Sequence, residues 1–310
     1  MKARANAKLN KNAIASALRN YALYGANNPY NYTLTDEEIE AIKAEDLIGI
    51  IKSLLNYKHR ILYYGPQVLS SFTASIGNLH KTPATWTMPA PAVKFERTSQ
   101  TGNQVLFAEY DAVQADIYWS RNLGKFDAEK DALVNMFNGY FGGGMGSIVF
   151  QTIRESKALA YSTYAFVSAP AKKDDHYSAI AYVGTQADKL NEAIAGMNEL
   201  LNDLPKNEAS FSSARKSLFK DIETERITKD GIIFNYLNAE RKGLKEDIRK
   251  KNYEKYKTLK LQDLNDYHQA ELSNKPYSYS VVGSEKNIKL DDLKKYGELK
   301  KISLTELFGY

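Results

Sequence analysis

An arginine and a tyrosine seven residues apart, Arg154 and Tyr161, follow a cluster of glycines in this sequence. A guanidinium presents fixed hydrogen-bond donors, so it can hold a peptide carbonyl or a carboxylate in one orientation. A phenol can donate to the oxygen that becomes negative when water attacks a peptide carbonyl. A cation and a phenol at this spacing are therefore suited to bind a peptide backbone.

The glycines that precede the pair are Gly142, Gly143, Gly144 and Gly146. Glycine tolerates positive φ and lets another backbone approach closely, so the run predicts a tight loop or an edge that faces a ligand. A short amphipathic segment follows. The stretch 159–167 is then rich in β-formers and bounded by a proline, which indicates a strand. Loop, short helix and strand together must position the cation and the phenol.

Spacing alone favours a structural interpretation of the same residues. Arg154 would form an ion pair with Glu155 or Asp127, and Tyr161 would pack in the sheet. The glycine run would be a plain turn between two helices.

The pattern GGGMGSxxFQxIRESKALAYS, from Gly142 to Ser162, resembles the second-half signature of the pitrilysin (insulinase-type) zinc metallopeptidases, which include the mitochondrial processing peptidases. The resemblance implies a clamshell of two similar halves, each of two α/β domains. It implies zinc in the first half, on an inverted His-x-x-Glu-His motif plus a distal Glu, and no metal in the second. The second half contributes an Arg and a Tyr that hold the substrate near the metal. Arg154 and Tyr161 match these two positions, so the resemblance favours substrate binding over a structural role.

The resemblance also implies a function. Gly142, Gly143 and Gly144 would form a backbone-accessible rim beside the substrate. The chain would be the non-zinc-binding C-terminal portion of a zinc metalloendopeptidase, closing a peptide-degrading chamber. Zinc-activated water would hydrolyse the peptide bond with metal and general base from outside this chain, which alone would be inactive. The alternative is a catalytically inactive family member that acts as a peptide-binding or scaffold subunit. Expected partners are a zinc-binding N-terminal half or separate catalytic subunit, and a peptide substrate.

Metal ligands are sparse in this sequence, which has four scattered histidines and no cysteine. His268 and Glu271 give a His-x-x-Glu half-motif, but Leu272 stands where the second histidine belongs. A catalytic zinc needs three protein ligands and an open position. We therefore expect no cofactor in this chain itself, and zinc in the catalytic half. A phosphate cradle in the glycine run is also disfavoured, since no Walker lysine follows it.

Composition indicates a globular chain, with 43% hydrophobic and 25% charged residues over 310 positions. No run of about 18 apolar residues exists, so we predict no membrane span. The lack of cysteine fits a cytoplasmic or a periplasmic soluble protein. Net charge is a mild +5, and the lysine-rich stretch 242–260 is interleaved with acidic residues. That pattern indicates a solvated helical face rather than a nucleic-acid surface.

Hydrophobic periodicity predicts an α+β fold, with helices packed on a largely antiparallel sheet. The predicted helices are 12–24, one that begins at Thr35 with a capping box to Glu38, 127–140 (capped by Asp127), 188–204, 207–225, 232–244 and 261–272. The predicted strands are 60–64, 105–109, 112–119, 159–167, 177–184 and 277–282.

A helix–strand–glycine ending occurs twice, closing at Gly65 and at Gly283. It suggests tandem repeated domains with the first copy truncated, although so common a pattern also arises by chance. Residues 1–66 would be a C-terminal fragment of the family's third domain, 67–100 a linker, and 101–310 the complete fourth domain. Since so short a fragment with one strand cannot form its own core, either the chain is truncated at its front or another polypeptide supplies the missing strands.

Overall fold

The computed structural model describes residues 2–310 and divides them into two compact units. The first unit comprises the chain up to residue 33, residues 95–225 and residues 238–310. The second comprises residues 34–94 and 226–237. The division expected from the sequence, into 1–66, 67–100 and 101–310, assigns these segments to domains of the family. It remains a prediction.

Helices outnumber strands in the described chain, and the strands lie in its middle and near its end. The helices are α1 (Lys2–Lys8), α2 (Lys11–Tyr24), α3 (Asp36–Ala41), α4 (Ala44–Ser53), α5 (Leu69–Leu79), α6 (Asp131–Phe141), α7 (Leu190–Asn202), α8 (Glu208–Thr224), α9 (Lys229–Arg241), α10 (Ile248–Thr258), α11 (Leu261–Glu271), α12 (Leu290–Leu293) and α13 (Leu304–Phe308). The strands are β1 (Gln104–Glu109), β2 (Gln114–Lys125), β3 (Ser162–Ser168), β4 (His176–Gln186), β5 (Ser278–Gly283) and β6 (Glu298–Lys301). No helix within residues 2–310 has the length and apolar character needed to cross a membrane.

The six strands form one sheet in the first unit, in the order β3-β4-β2-β5-β1-β6. Three neighbouring pairs are antiparallel: β3 with β4, β4 with β2, and β2 with β5. The pairs of β1 with β5 and with β6 are parallel. The predicted α+β class with a largely antiparallel sheet is therefore confirmed.

One face of this sheet packs against helices α6, α7 and α11. Alternate residues of a strand point to the same face, and on β2 these include Ile117 and Trp119, both fully buried. The Trp119 indole N–H donates to Asn198 Oδ1 of α7 at 2.8 Å, so its polar atom is satisfied. Helix α7 buries the apolar stripe predicted from its sequence and ends before Pro205, as expected.

The opposite face of the sheet packs against α2 and α13. Helix α2 begins because the Asn10 side chain accepts the Ala13 N–H at 3.1 Å. It turns Ile14 and Leu18 inward, and both are fully buried. It ends at Gly25, whose φ of 84° few other residues tolerate. The predicted helix 12–24 is thus confirmed, and the sheet is covered on both faces.

The second unit contains α3, α4, α5 and the first part of α9. Helix α3 starts with the predicted capping box, in which Thr35 and Glu38 each accept the other's backbone N–H. Every residue of this unit is exposed or half-buried, and none is buried. The unit therefore has helices without an interior of its own.

Local predictions differ from the structure at several places. Residues 60–64 form no strand, because no other strand of the described chain lies beside them; an isolated bridge joins Tyr57 to Thr87 instead. The segment 67–100, for which no regular element was predicted, contains helix α5. Asp127 does not cap α6, which begins at Asp131; its carboxylate accepts the Glu129 N–H and closes a preceding turn.

Candidate functional site

The glycine cluster forms the loop that leaves α6. Gly142 is buried beneath β3, and a Cβ there would lie 2.1 Å from the Ala165 backbone oxygen. A Cβ on Gly143 would lie 2.7 Å from Asn138 O, although Gly143 itself is exposed. Gly144 is exposed with nothing within 4 Å of such a Cβ. Gly142 thus lets helix and strand meet, whereas Gly143 and Gly144 are the predicted rim residues that reach the surface.

Asn138, on the last turn of α6, holds the outer edge of β3. Its side-chain oxygen accepts the Val167 N–H at 2.7 Å, and its side-chain nitrogen donates to Val167 O at 2.9 Å. The amide thereby occupies backbone groups that an edge strand would otherwise leave unpaired. The strand that follows Tyr161 is fixed against the helix that precedes the glycine loop.

Two residues of the quoted motif fix the loop itself. The Ser147 hydroxyl donates to Gly144 O at 2.6 Å. The Gln151 side-chain amide donates to Met145 O at 2.6 Å. Each bond satisfies a carbonyl of the loop, so the rim has a defined backbone path.

A wide π-helical turn, Phe150–Ser156, carries Arg154. Its closing bond runs from Lys157 N to Thr152 O, five residues back, at 3.0 Å. Such turns occur often at functional sites, because they redirect side chains within a helix. Here Ile153 is fully buried and its neighbour Arg154 points to solvent.

The Arg154 side chain is 44% exposed. Its Nε lies 3.8 Å from Glu155 Oε1, which is the contact that the structural interpretation predicts. Its guanidinium carbon lies 4.9 Å from the Phe150 ring centroid. Because a long ion pair between exposed groups contributes little, Glu155 does not prevent the guanidinium from binding a ligand.

Tyr161 lies immediately before β3 rather than inside the strand, and it is 43% exposed. Its N–H donates to Gly184 O at 3.2 Å, which continues the pairing of β3 with β4. Its phenol donates to Gln114 Oε1 at 2.8 Å. The ring is thus oriented at both ends while part of it faces solvent.

A buried carboxylate, Asp116, stands behind this phenol. It accepts a hydrogen bond from the Tyr182 hydroxyl at 3.0 Å and pairs with Lys11 Nζ at 2.9 Å. Burial, and secondly the negative charge of Asp116, raise the pKa of Tyr161 to about 12. The phenol is protonated at neutral pH, as an ordinary tyrosine is, and can act as a hydrogen-bond donor; the raised pKa extends this state to higher pH.

Gln114 and Asp116 were absent from the residues predicted by sequence. They precede the glycine motif by many positions and meet Tyr161 through the pairing of β2 with β4 and β4 with β3. No local sequence pattern predicts a contact that depends on strand pairing. Ser147 and Gln151, in contrast, lie inside the quoted motif. Their position there could have indicated that they fix the glycine loop.

The histidines do not assemble a catalytic metal site. Within residues 2–310, no three or more His, Cys, Asp or Glu side chains lie close enough together to hold a metal ion. His268 is fully buried, its Nε2 lies 3.0 Å from Leu200 O, and burial lowers its pKa. His59 and His80 appear scattered in sequence, yet their Nε2 atoms lie 2.6 Å apart in the second unit. The donor set of this chain therefore does not fit a catalytic zinc.

Comparison with known proteins identifies the fold and the matched domain. The family model described as "Peptidase M16 inactive domain" matches residues 67–218. No curated protein sequence matches the chain. Among solved structures, the peptidase M16 inactive domain from Pseudomonas fluorescens is 16% identical with a TM-score of 0.68, over 91% of this chain and 68% of that one.

Two larger structures share the fold. Pitrilysin is 12% identical with a TM-score of 0.63, over 98% of this chain and 33% of its own. A mutant of the ferredoxin protease FusC, in complex with Arabidopsis ferredoxin, is 11% identical with a TM-score of 0.67, over 90% of this chain and 31% of its own. The chain thus spans about a third of each. Residues 67–218 thus match the inactive domain of the peptidase M16 family, and the chain has the fold found in the C-terminal half of a pitrilysin-type peptidase.

Proposed function

We propose that this chain is the non-zinc-binding part of a pitrilysin-type endopeptidase, in which it closes the peptide-degrading chamber and binds substrate through Arg154 and Tyr161. The metal and the general base lie outside this chain in the proposal, where zinc would activate the attacking water. The substrate is a peptide, and the reaction is hydrolysis of one of its bonds.

The state of Tyr161 is the observation that carries the proposal. Its phenol is partly exposed, is oriented by Gln114, and has its pKa raised to about 12. A protonated, oriented donor stabilises negative charge on a carbonyl oxygen, because it need not reorganise as the charge develops. A tyrosine that only packs in the sheet requires neither solvent contact nor a hydrogen bond that orients its hydroxyl group.

Arg154 complements the phenol. Its guanidinium stands on a π-helical turn whose previous residue, Ile153, is anchored in the core. An exposed guanidinium on an anchored backbone can hold a substrate carbonyl or carboxylate in one orientation. Gly143 and Gly144 lie between α6 and this turn, so their exposed backbone would form the rim along which a peptide approaches.

An exposed apolar surface on the second unit supports the proposal that another polypeptide binds there. Leu47, Ile50 and Ile51 of α4 are 51%, 60% and 65% exposed. Adjacent large apolar side chains at such exposure mark a surface that another element covers. In the proposal, that element belongs to the zinc-binding half or to a separate catalytic subunit.

The test is reconstitution of the peptidase with its zinc-binding half, by co-expression, followed by an assay on a quenched peptide. We expect the double variant Arg154→Ala/Tyr161→Phe to lose roughly 10²-fold or more in kcat/KM, the scale of removing an oriented oxyanion donor. The matched control is Glu155→Ala with Tyr110→Phe, which removes an exposed charge and a hydroxyl that bonds Leu9 O.

Full activity of the double variant would defeat the assigned roles of the two residues. Peptide binding without turnover, in a complex that holds no zinc at equilibrium, would instead indicate the alternative function of a scaffold or peptide-binding subunit. Loss of activity in the control as well as in the double variant would show general damage to the fold.

A further inference from the structure

A cavity of about 580 Å³ lies in the first unit, away from the glycine loop. Three helix ends meet around it: the start of α8, the end of α10 and the start of α11. Its volume falls within the range of sites that hold small molecules. None of the residues proposed to bind peptide lines it.

Most of the charged side chains around this cavity are cationic. Its charged residues are Lys206, Arg215, Lys257 and Lys260, against the single carboxylate of Glu208. The lining thus carries four positive charges and one negative charge, which leaves +3. The whole 310-residue chain has a net charge of +5. A concentration of this kind at one cavity favours an anionic ligand.

The lysines differ in how far the protein already neutralises them. Lys257 pairs with Glu254 at 2.7 Å, one turn earlier on α10. Lys206 and Lys260 have no acidic side chain within ion-pair distance in the described part of the chain. Two ammonium groups therefore remain free to bind a ligand's negative charge.

Arg215 supplies a cation held in one place. Its guanidinium donates to Leu259 O and lies 4.6 Å from the Phe211 ring centroid. Its Nε is buried without a hydrogen-bond partner. Because Nε is not accessible to a ligand, Arg215 contributes a positive charge fixed in position, which favours the oxygens of a phosphate group.

The first turn of α11 completes the lining with Leu261 and Gln262. Backbone N–H groups of a first turn have no partner within the helix and carry the positive end of its dipole. Asp263 accepts the Lys260 N–H at 2.7 Å and so fixes the entry into the helix. The Asp263 carboxylate offsets part of this positive end, so the cationic side chains supply the positive potential at the cavity.

We propose that this cavity binds a small phosphate-bearing anion, with Lys206, Lys260 and Arg215 as its principal contacts. Free pyrophosphate and an organic phosphate share this chemistry. The proposal is independent of peptide hydrolysis, since no residue is common to the two sites.

The test is isothermal titration of the full chain with inorganic phosphate, pyrophosphate, glycerol 3-phosphate and sulfate. We expect saturable binding of pyrophosphate or glycerol 3-phosphate, and weaker binding of sulfate. The compound that binds more tightly indicates whether the ligand is free pyrophosphate or an organic phosphate. The double variant Lys206→Gln/Lys260→Gln should weaken that binding at least tenfold. Amide resonances of Gln262 and Asn265, both at the cavity, should shift on titration.

The matched control is Lys216→Gln/Lys250→Gln, which removes the same charge from exposed positions on α8 and α10. We expect it to change the dissociation constant less than twofold. An equal loss in the control and the cavity variant would overturn the proposal, because binding would then reflect net charge alone. Absence of saturable binding of either phosphate compound at millimolar concentration, or tighter binding of sulfate, would also overturn it.

Discussion

The two compact units of this chain bury their side chains to very different extents. The first unit covers both faces of its sheet with helices, and Ile14, Phe107 and Trp119 there are at most 1% exposed. The second unit has three complete helices and no buried residue. Both contain amphipathic sequence, so helix formation alone does not separate them.

The difference shows what an amphipathic helix requires. Helix α7 has a sheet to cover, and its apolar stripe is buried. Helix α4 has an apolar stripe as well, yet it stays exposed. Because most helical stability in proteins comes from packing of the apolar face, the first unit can hold the candidate site rigidly, whereas in the proposal a partner covers the apolar face of the second.

Replacing a large apolar side chain by alanine should give the largest difference between the two units in the free energy of unfolding. We expect Trp119→Ala to lower the free energy of unfolding by about 3–5 kcal/mol, because it leaves a cavity in the sheet–helix core. Ile51→Ala, at a 65% exposed position of α4, should change it by less than about 0.5 kcal/mol. Denaturant unfolding of both variants measures this. Similar losses would contradict the contrast between the units.

Hydrogen exchange should show the same contrast without mutation. Amides of α7 should be protected about 10³-fold or more, and those of α4 weakly, since local opening is easy where few apolar contacts must break. Mass spectrometry of peptides from each helix measures the exchange. Addition of the zinc-binding half should raise protection in α4, and unchanged exchange there would count against the proposed partner surface.

Glycine substitutions sharpen the comparison within the loop. Gly142→Ala should cost about 1–3 kcal/mol, because the new methyl group meets the Ala165 backbone and forces a shift. Gly144→Ala should be within about 0.5 kcal/mol, since its surroundings are open. Thermal unfolding of the two variants distinguishes a packing role from a rim role. Equal effects would contradict the assignment.

The effect of Tyr161 ionisation on stability is the smallest effect that we predict. Its pKa of about 12 exceeds the ordinary value of 10.0, so the unfolded chain loses this proton first. The contribution of Tyr161 to stability is then present below pH 10 and lost as the pH rises through about 12. The ¹³Cζ resonance, identified by its absence in Tyr161→Phe, should be nearly unshifted at about pH 10, where an ordinary tyrosine is half-ionised. A midpoint near the ordinary value of 10.0 would refute the electrostatic argument.

Local sequence signals predicted much of the first unit. Helices α2 and α7 have their apolar stripes and their terminating residues, Gly25 and Pro205, in one short stretch of sequence each, and the sequence suffices for these. The strand predicted at 60–64 was wrong because a β-former run needs a neighbouring strand, which sequence does not reveal. Helix α5 was overlooked because the prolines that follow it suggested an irregular connector.

The motif of the candidate site could be predicted from the sequence, but the contacts that its residues make with distant parts of the chain could not. Arg154 and Tyr161 stand in a recognisable order of residues. The contact of Tyr161 with Gln114 depends on sheet register. The approach of His59 to His80 depends on where α5 ends. Long-range contacts of this kind follow from tertiary packing, which spacing along the chain does not encode.

The most direct measurement is the steady-state kinetics of Tyr161→Phe in the peptidase reconstituted with its zinc-binding half. If the phenol donates to the developing oxyanion, kcat falls by roughly 10²-fold while KM changes little, because the interaction strengthens in the transition state. An unchanged kcat, at full zinc occupancy and with the variant folded, would contradict the assignment of Tyr161 to substrate hydrolysis.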